Sequence, residues 1–335
     1  MIALLALMLS ASAAEQHVVR KGETIESIAS SVGKPGAAAE LRSLNGLADD
    51  AQPTAGTVIN LPDLGGLQQP GQVLALVGTG TVTPPGGNRG NLAEGTFLMV
   101  GTRVCTGEDS FATIRLTSVP NCADEDDVTL LPKTCLTLEA NHARADKRSS
   151  VVSLTSGSLA VRKSAAGGNV AVRTASGLTT GADGGFRVAV EDASTRSEAV
   201  SGAVAVLAEG AEKEVPQGFG VRTPKGEAPG ELVELLPPGT PVAPEADAQL
   251  IVPDFGWTPV ERALGYRVEL ASDDEFTRLV RRTEVGRNVW LPTQLFLPYD
   301  SPVLYWRVVS FDRLGFEGIP SEARAVRFPR GIAVD

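Results

Sequence analysis

The chain has 335 residues, with 40 acidic against 30 basic side chains, a formal charge of −10 and only two histidines. That length allows two or three domains, and a spread negative charge argues against nucleic acid as a partner. Neither His-x-His nor His-Glu-x-x-His occurs, which excludes the usual zinc-peptidase ligand sets.

Met1–Ser10 is apolar, and Ala11-Ser12-Ala13-Ala14 follows before the first charge at Glu15. The pattern predicts a secretory signal peptide over residues 1–14, cleaved near Ala13 or Ala14. Its basic n-region is missing, which leaves the true start codon open. Ten apolar residues are too few to span a bilayer, no later stretch is long enough, and no cysteine follows the cleavage site to carry a lipid. The expectation is an exported protein of the periplasm or cell wall, without a transmembrane span.

Residues 16–63 read as strand, helix, helix, strand. Thr24 is placed to cap a helix, Glu26 suits its positive start, and Ile25, Ile28, Ala29 and Val32 recur at helical spacing. A second helix carries Ala37, Leu41 and Leu44 on one face, and Asn45-Gly46 supplies its left-handed stop. Thr57–Leu61 returns as a strand and Pro62 halts it. The blocks Gly22-Glu23-Thr24-Ile25-x-x-Ile28-Ala29, Leu41-x-x-Leu44-Asn45 and Gly56-x-x-Ile59-x-Leu61-Pro62 resemble the LysM domain. That family binds N-acetylglucosamine glycans such as peptidoglycan; His17 stands where it usually has an aromatic residue. The resemblance implies sugar contacts from the loops Gly22, Glu23, Thr24, Ile25 and Asn45, Gly46, Leu47. Hydrogen bonds and apolar contact, rather than charge attraction, would hold so acidic a chain to the wall.

A Gly/Gln/Pro linker, Leu64–Gly71, precedes a region of β character over residues 72–226. Val73–Val77, Thr96–Cys105, Phe111–Thr117, Val128–Leu131 and Leu136–Glu139 read as strands. An internal echo follows: Ser156–Val161 with Val172–Gly177, then Ser201–Val206 with Val221–Gly226. It suggests stacked hairpins over one core. The motifs Leu92-x-x-Gly95-x-Phe97-x-x-Val100-Gly101-x-x-Val104, Ala112-x-Ile114-x-Leu116, Ser156-Gly157-x-Leu159, Phe186-x-Val188 and Ser201-Gly202-x-Val204 resemble the FecR-type domain. The Arg-Gly-Thr usual in that family is absent ahead of Phe186. Three cysteines in an exported chain favour one disulfide. Strand order brings Cys105 back near Cys135 and leaves Cys122 at the far end, so Cys105–Cys135 is the expected bridge.

Residues 227–248 form a proline-rich linker. All three Trp and all three Tyr then lie between Asp254 and Trp306, which marks a module with its own aromatic core over residues 249–330. Trp257-x-Pro259-Val260-x-x-Ala263-x-x-Tyr266 and Tyr305-Trp306-Arg307-Val308 resemble a fibronectin type III-like β-sandwich. Trp257 is expected in its core rather than at a ligand. The fold class is therefore multidomain and mainly β: a small α+β module, an all-β domain of stacked hairpins, then a sandwich.

No catalytic constellation stands out. Cys135 and His142 are close in sequence, but a disulfide is the expected fate of that thiol. Among 40 acids a glycosidase pair is not excluded, yet no Trp or Tyr lies between Glu15 and Pro253 to stack on sugar. Asp124–Asp127 lacks the alternation and glycine of a calcium loop and reads as a solvated turn. The expectation is a non-enzymatic cell-envelope protein with no cofactor and no metal, binding peptidoglycan and presenting β domains to envelope proteins. The alternatives are a regulatory protein of the FecR type and an unrecognised wall glycan hydrolase.

Overall fold

A computed structural model describes residues 16–19, 24–31, 38–54, 57–60, 71–116, 126–144, 147–163, 169–181, 183–249, 254–292 and 303–327. The expected signal peptide, Gly22, Glu23, Pro62 and Cys122 lie outside the described residues. Two compact units divide the chain: Met1–Gln68 with Ala143–Lys147, and Gln69–His142 with Arg148–Asp335.

In the first unit, β1 (Gln16–Val18) pairs antiparallel with β2 (Val58–Asn60), His17 opposite Ile59. Between them lie α1 (Ile25–Ser31) and α2 (Ala38–Leu44). Each helix has seven residues, too few to persist in water alone. They persist by packing: Val19, Ile25, Ile28, Ala29, Leu41 and Ile59 form one buried cluster, with Ala38 and Leu47 against it. Each fully buried Ile or Leu contributes roughly 1.5–3 kcal/mol.

The second unit opens with two stacked sheets. One contains Gly71–Val77, Phe111–Leu116, Asp126–Leu130, Gly185–Glu191, Ser194–Ser201 and Phe219–Pro224. The other contains Gly80–Thr83, Arg103–Thr106, Asn169–Thr174, Gly177–Gly181, Val204–Ala208 and Ala211–Val215. The long strand Lys147–Arg162 belongs to both. Its Ser149–Ser153 stretch pairs parallel with Asn169–Arg173, and Gly157–Arg162 pairs antiparallel with Gly185–Val190. At the crossing Gly157 has φ +81°, and a Cβ there would meet Thr134 Oγ1 at 2.4 Å, so only glycine lets the strand change sheets.

Inward residues of both sheets, among them Ile114, Leu159, Val188, Val172, Val204 and Val221, merge into one core. The echoed segments share that core but exchange layers. Leu159 lies in the first sheet and Val172 in the second; their counterparts Val204 and Val221 are reversed. The strand expected over Thr96–Cys105 is broken into Phe97–Leu98 and Arg103–Thr106, one in each sheet. The cause is a turn in which the Thr102 N–H donates to the Met99 carbonyl at 3.0 Å, with Gly101 at φ +85°.

The aromatic segment is a two-sheet sandwich. Pro241–Ala243, Phe255–Trp257 and Val289–Trp290 face a sheet of Ala248–Gln249, Arg324–Arg327, Val303–Phe311, Gly265–Ala271 and Leu279–Val285. Trp257 is core, 2% exposed, with its ring 5.3 Å from Tyr266; Phe255 lies 5.0 Å from Trp290 and 5.2 Å from Trp306. The residues read as a linker are woven into both bodies. Leu232–Glu234 adds to Phe219–Val221, Leu235 and Leu236 are buried, and Pro241–Ala243 pairs with Gly256–Trp257. Pro241 sits on an edge strand, where a missing N–H breaks no inner ladder.

The sandwich and the stacked sheets close on each other through polar and apolar contacts. Arg187 Nη2 donates to the carbonyls of Glu317 at 2.6 Å and Gly318 at 2.8 Å, and the Glu317 N–H donates to Glu198 Oε1 at 2.9 Å. Phe316 fills the space above Gly220, with the guanidiniums of Arg196 and Arg222 5.8 and 5.7 Å from its ring centre. Phe111, Leu131, Ala271, Phe276 and Leu279 form a shared apolar cluster.

Candidate functional site

Thr24 and Ser27 cap α1 reciprocally. Thr24 Oγ1 accepts from the Ser27 N–H at 3.1 Å, and Ser27 Oγ accepts from the Thr24 N–H at 2.8 Å. The other end of the candidate site is a Schellman stop on α2. The Gly46 N–H reaches the Ser43 carbonyl at 3.3 Å and the Leu47 N–H the Arg42 carbonyl at 2.9 Å, with Gly46 at φ +64°. Asn45 Nδ2 donates to the Leu41 carbonyl at 2.8 Å, and Leu47 leans on the core.

Gln52 ties the two ends together. Its Oε1 accepts from the Ile25 N–H at 2.8 Å, and its Nε2 donates to Glu26 Oε2 at 3.0 Å. Arg42 of α2 pairs with the other Glu26 oxygen. The hydrogen bonds from Arg42 and then Gln52 hold the Glu26 carboxyl down at about 2. The start of α1 and the loop after α2 therefore form one braced edge. Thr24 is half-buried, Gly46 is exposed, and Asn45 and Leu47 are half-buried, so these four reach the surface. Ile25 is fully buried and takes part only through its backbone and position. Gly22 and Glu23 lie outside the described residues.

Sequence reading missed Gln52 and Arg42. A single Gln twenty-six residues from its partner has no local pattern to betray it.

In the second unit, Cys105 faces Cys135 across paired antiparallel strands, and the two are joined with S–S 2.08 Å and Cα–Cα 4.2 Å. Cys135 therefore offers no free thiol to His142. The acidic run read as a solvated turn is, in its described part, something else. Asp126 and Asp127 begin a buried strand. Lys163 Nζ lies 2.7 Å from Asp126, and Asp127 takes Arg115 at 3.0 Å and Arg162 at 2.5 Å. Strand pairing carried these acids inward, and three cations neutralise them.

Among the described residues no helix is long and apolar enough to cross a membrane. No curated protein matches the chain. Two crystal structures of a candidate anti-sigma factor from Parabacteroides distasonis ATCC 8503, at 1.65 and 2.50 Å, align with it at 16% identity and a TM-score of 0.31. Each alignment covers 39% of this chain and 58% of that protein, too distant a likeness to support a functional argument. Residues 17–62 match the LysM domain family, over the strands, both caps and the Gln52 brace just described. Residues 17–62 of this chain are a LysM domain.

Proposed function

We propose that this is a non-enzymatic, exported cell-envelope protein that grips peptidoglycan, or another N-acetylglucosamine glycan, with its LysM domain. The observation that carries the reading is the match over residues 17–62, together with the braced edge that brings Thr24 beside the loop after Asn45-Gly46. The glycan would lie along that edge, touching Gly22, Glu23, Thr24, Asn45, Gly46 and Leu47. The remaining residues present β surfaces to other envelope proteins. We read the stacked sheets as a FecR-type domain, because Val104, Ile114, Leu159, Phe186 and Val204 carry that resemblance and line its core. The sandwich is read as fibronectin type III-like, supported by the burial of Trp257, Tyr266 and Trp306.

The test is co-sedimentation of the full-length protein with purified, polysaccharide-free peptidoglycan. The protein is expected in the pellet, and a soluble chitooligosaccharide is expected to release it. Protein that stays in the supernatant, while a known LysM protein sediments, overturns the tether.

A further inference from the structure

The geometry points to a binding site for a small organic anion, bearing a carboxylate or a phosphate, in the cavity between the stacked sheets and the sandwich. The cavity has a volume of about 280 Å³. That equals roughly nine waters at about 30 Å³ each, just below the roughly 300–1,000 Å³ of pockets for drug-sized ligands. A short acid or a small phosphate ester fits; an oligosaccharide does not.

The lining is cationic on a chain of charge −10: Arg162, Lys163, Arg187 and Arg307 stand against the carboxylates of Asp127 and Glu275. Lys163 and Arg187 spend their charge on Asp126 and Glu198, at 2.7 Å each. The two remaining arginines keep donors in reserve. Arg162 uses Nη2 for both Asp127 at 2.5 Å and Glu275 at 3.3 Å, while its Nε is buried with no hydrogen-bond partner among the described residues. Arg307 uses Nε for Glu269 at 2.7 Å, and its terminal nitrogens make no hydrogen bond to a described residue. That Nε is closed off from solvent and has no acceptor, a desolvation penalty that a turn of the Arg162 head toward an entering anion would relieve. Guanidinium forks suit the paired oxygens of carboxylate and phosphate. Glu275 is 60% exposed, so its hold on Arg162 is weak and easily displaced by an entering anion.

One wall is held in an unfavourable conformation. Phe276 is 5% exposed at φ +59°, a region bulky side chains avoid. The Asp273 carboxylate fixes the turn by accepting from the N–H groups of Thr277 at 2.9 Å and Arg278 at 2.7 Å. Thr113 Oγ1 adds a bond of 2.5 Å to the Thr277 carbonyl. So fixed, the Phe276 ring lies 3.9 Å from the Arg307 guanidinium and orients it beside the cavity. The ring also offers an apolar surface for the ligand's carbon body.

Thermal unfolding of the full-length protein tests the site, with glutarate and glycerol 3-phosphate as probes and sodium chloride at equal ionic strength as the reference. At about 10 mM, glutarate or glycerol 3-phosphate is expected to raise the melting temperature of the second unit by about 4 °C. A shift with glutarate alone assigns the site to organic acids, and one with glycerol 3-phosphate alone to phosphate esters. Arg162→Gln is expected to abolish the shift. Its fold is expected to survive, because Asp127 retains Arg115 at 3.0 Å. Arg307→Lys keeps the charge beside Glu269 but loses the fork, and is expected to weaken binding about tenfold in a calorimetric titration. No shift beyond sodium chloride with either probe, or an equal shift in both variants, overturns the proposal. Because none of these readouts involves glycan, failure here leaves the wall tether standing.

Discussion

Glu317 is 5% exposed, and its carboxylate sits among guanidiniums: Arg282 at 2.5 Å, Arg267 at 3.1 Å and Arg187 at 3.5 Å. Burial alone would raise its pKa; the charges of Arg282, Arg187, Arg267 and Arg196 outweigh burial and hold it below the ordinary 4.5. Glu269 behaves alike: burial pushes it up, and Arg307 and Arg282 bring it below 4.5. A carboxyl whose folded pKa is depressed contributes stability that is complete above its unfolded pKa and is lost as pH falls through the folded value. Urea unfolding of the second unit should therefore keep a constant midpoint from neutrality to about pH 5 and weaken progressively below about pH 4.5. Glu317→Gln leaves buried arginines without their counter-charge and should cost about 3–5 kcal/mol at neutral pH by the same measurement, with the gap narrowing in acid. In the LysM domain, Thr24→Ala removes a cap and should cost about 1 kcal/mol, seen as faster amide exchange in α1. Thr24 and Asn45-Gly46 were legible in the sequence because a cap and a stop are patterns within a few residues. Glu317 was not. Its partners lie 35 to 130 residues away and are adjacent only after two sheets have closed.

At the scale of elements, the strand Lys147–Arg162 decides how the stacked sheets are built, since it serves one sheet with its first half and the other with its second. Gly157→Ala would force a Cβ to 2.6 Å from Thr134 Cα at φ +81°, and should cost more than about 2 kcal/mol by urea unfolding. Beside that crossing, where Thr155 Oγ1 donates to the Cys135 carbonyl, the Cys105–Cys135 bridge closes a loop with a sequence separation of 30. Replacing both cysteines by alanine should lower the unfolding free energy by about 3–4 kcal/mol, and reductant should bring the wild type down to the variant's melting temperature. Most strands could be read from alternating Val, Leu and Thr. Their sheet membership could not, because alternation is identical on either side of a core. The break between Phe97–Leu98 and Arg103–Thr106 hid inside one unbroken alternation for that reason.

Across the whole molecule, the second unit is one compact unit, its two larger hydrophobic cores joined by a shared apolar cluster. Unfolding monitored by Trp fluorescence, which reports the sandwich alone, should coincide with the loss of far-ultraviolet signal from the strands of the second unit. Limited proteolysis should leave residues 224–249 uncut. The change of composition there was legible, but proline richness was a poor guide to freedom, because Leu235 and Leu236 are buried and the flanking residues pair in sheets. The Phe316 ring, seated over Gly220 and between Arg196 and Arg222, has one more implication. Modules strung on free tethers can be shuffled among proteins, duplicated or dropped. A lock of aromatic ring and glycine notch forbids that trade: neither half can be exchanged unless the other changes with it, so the two are bound to be inherited together.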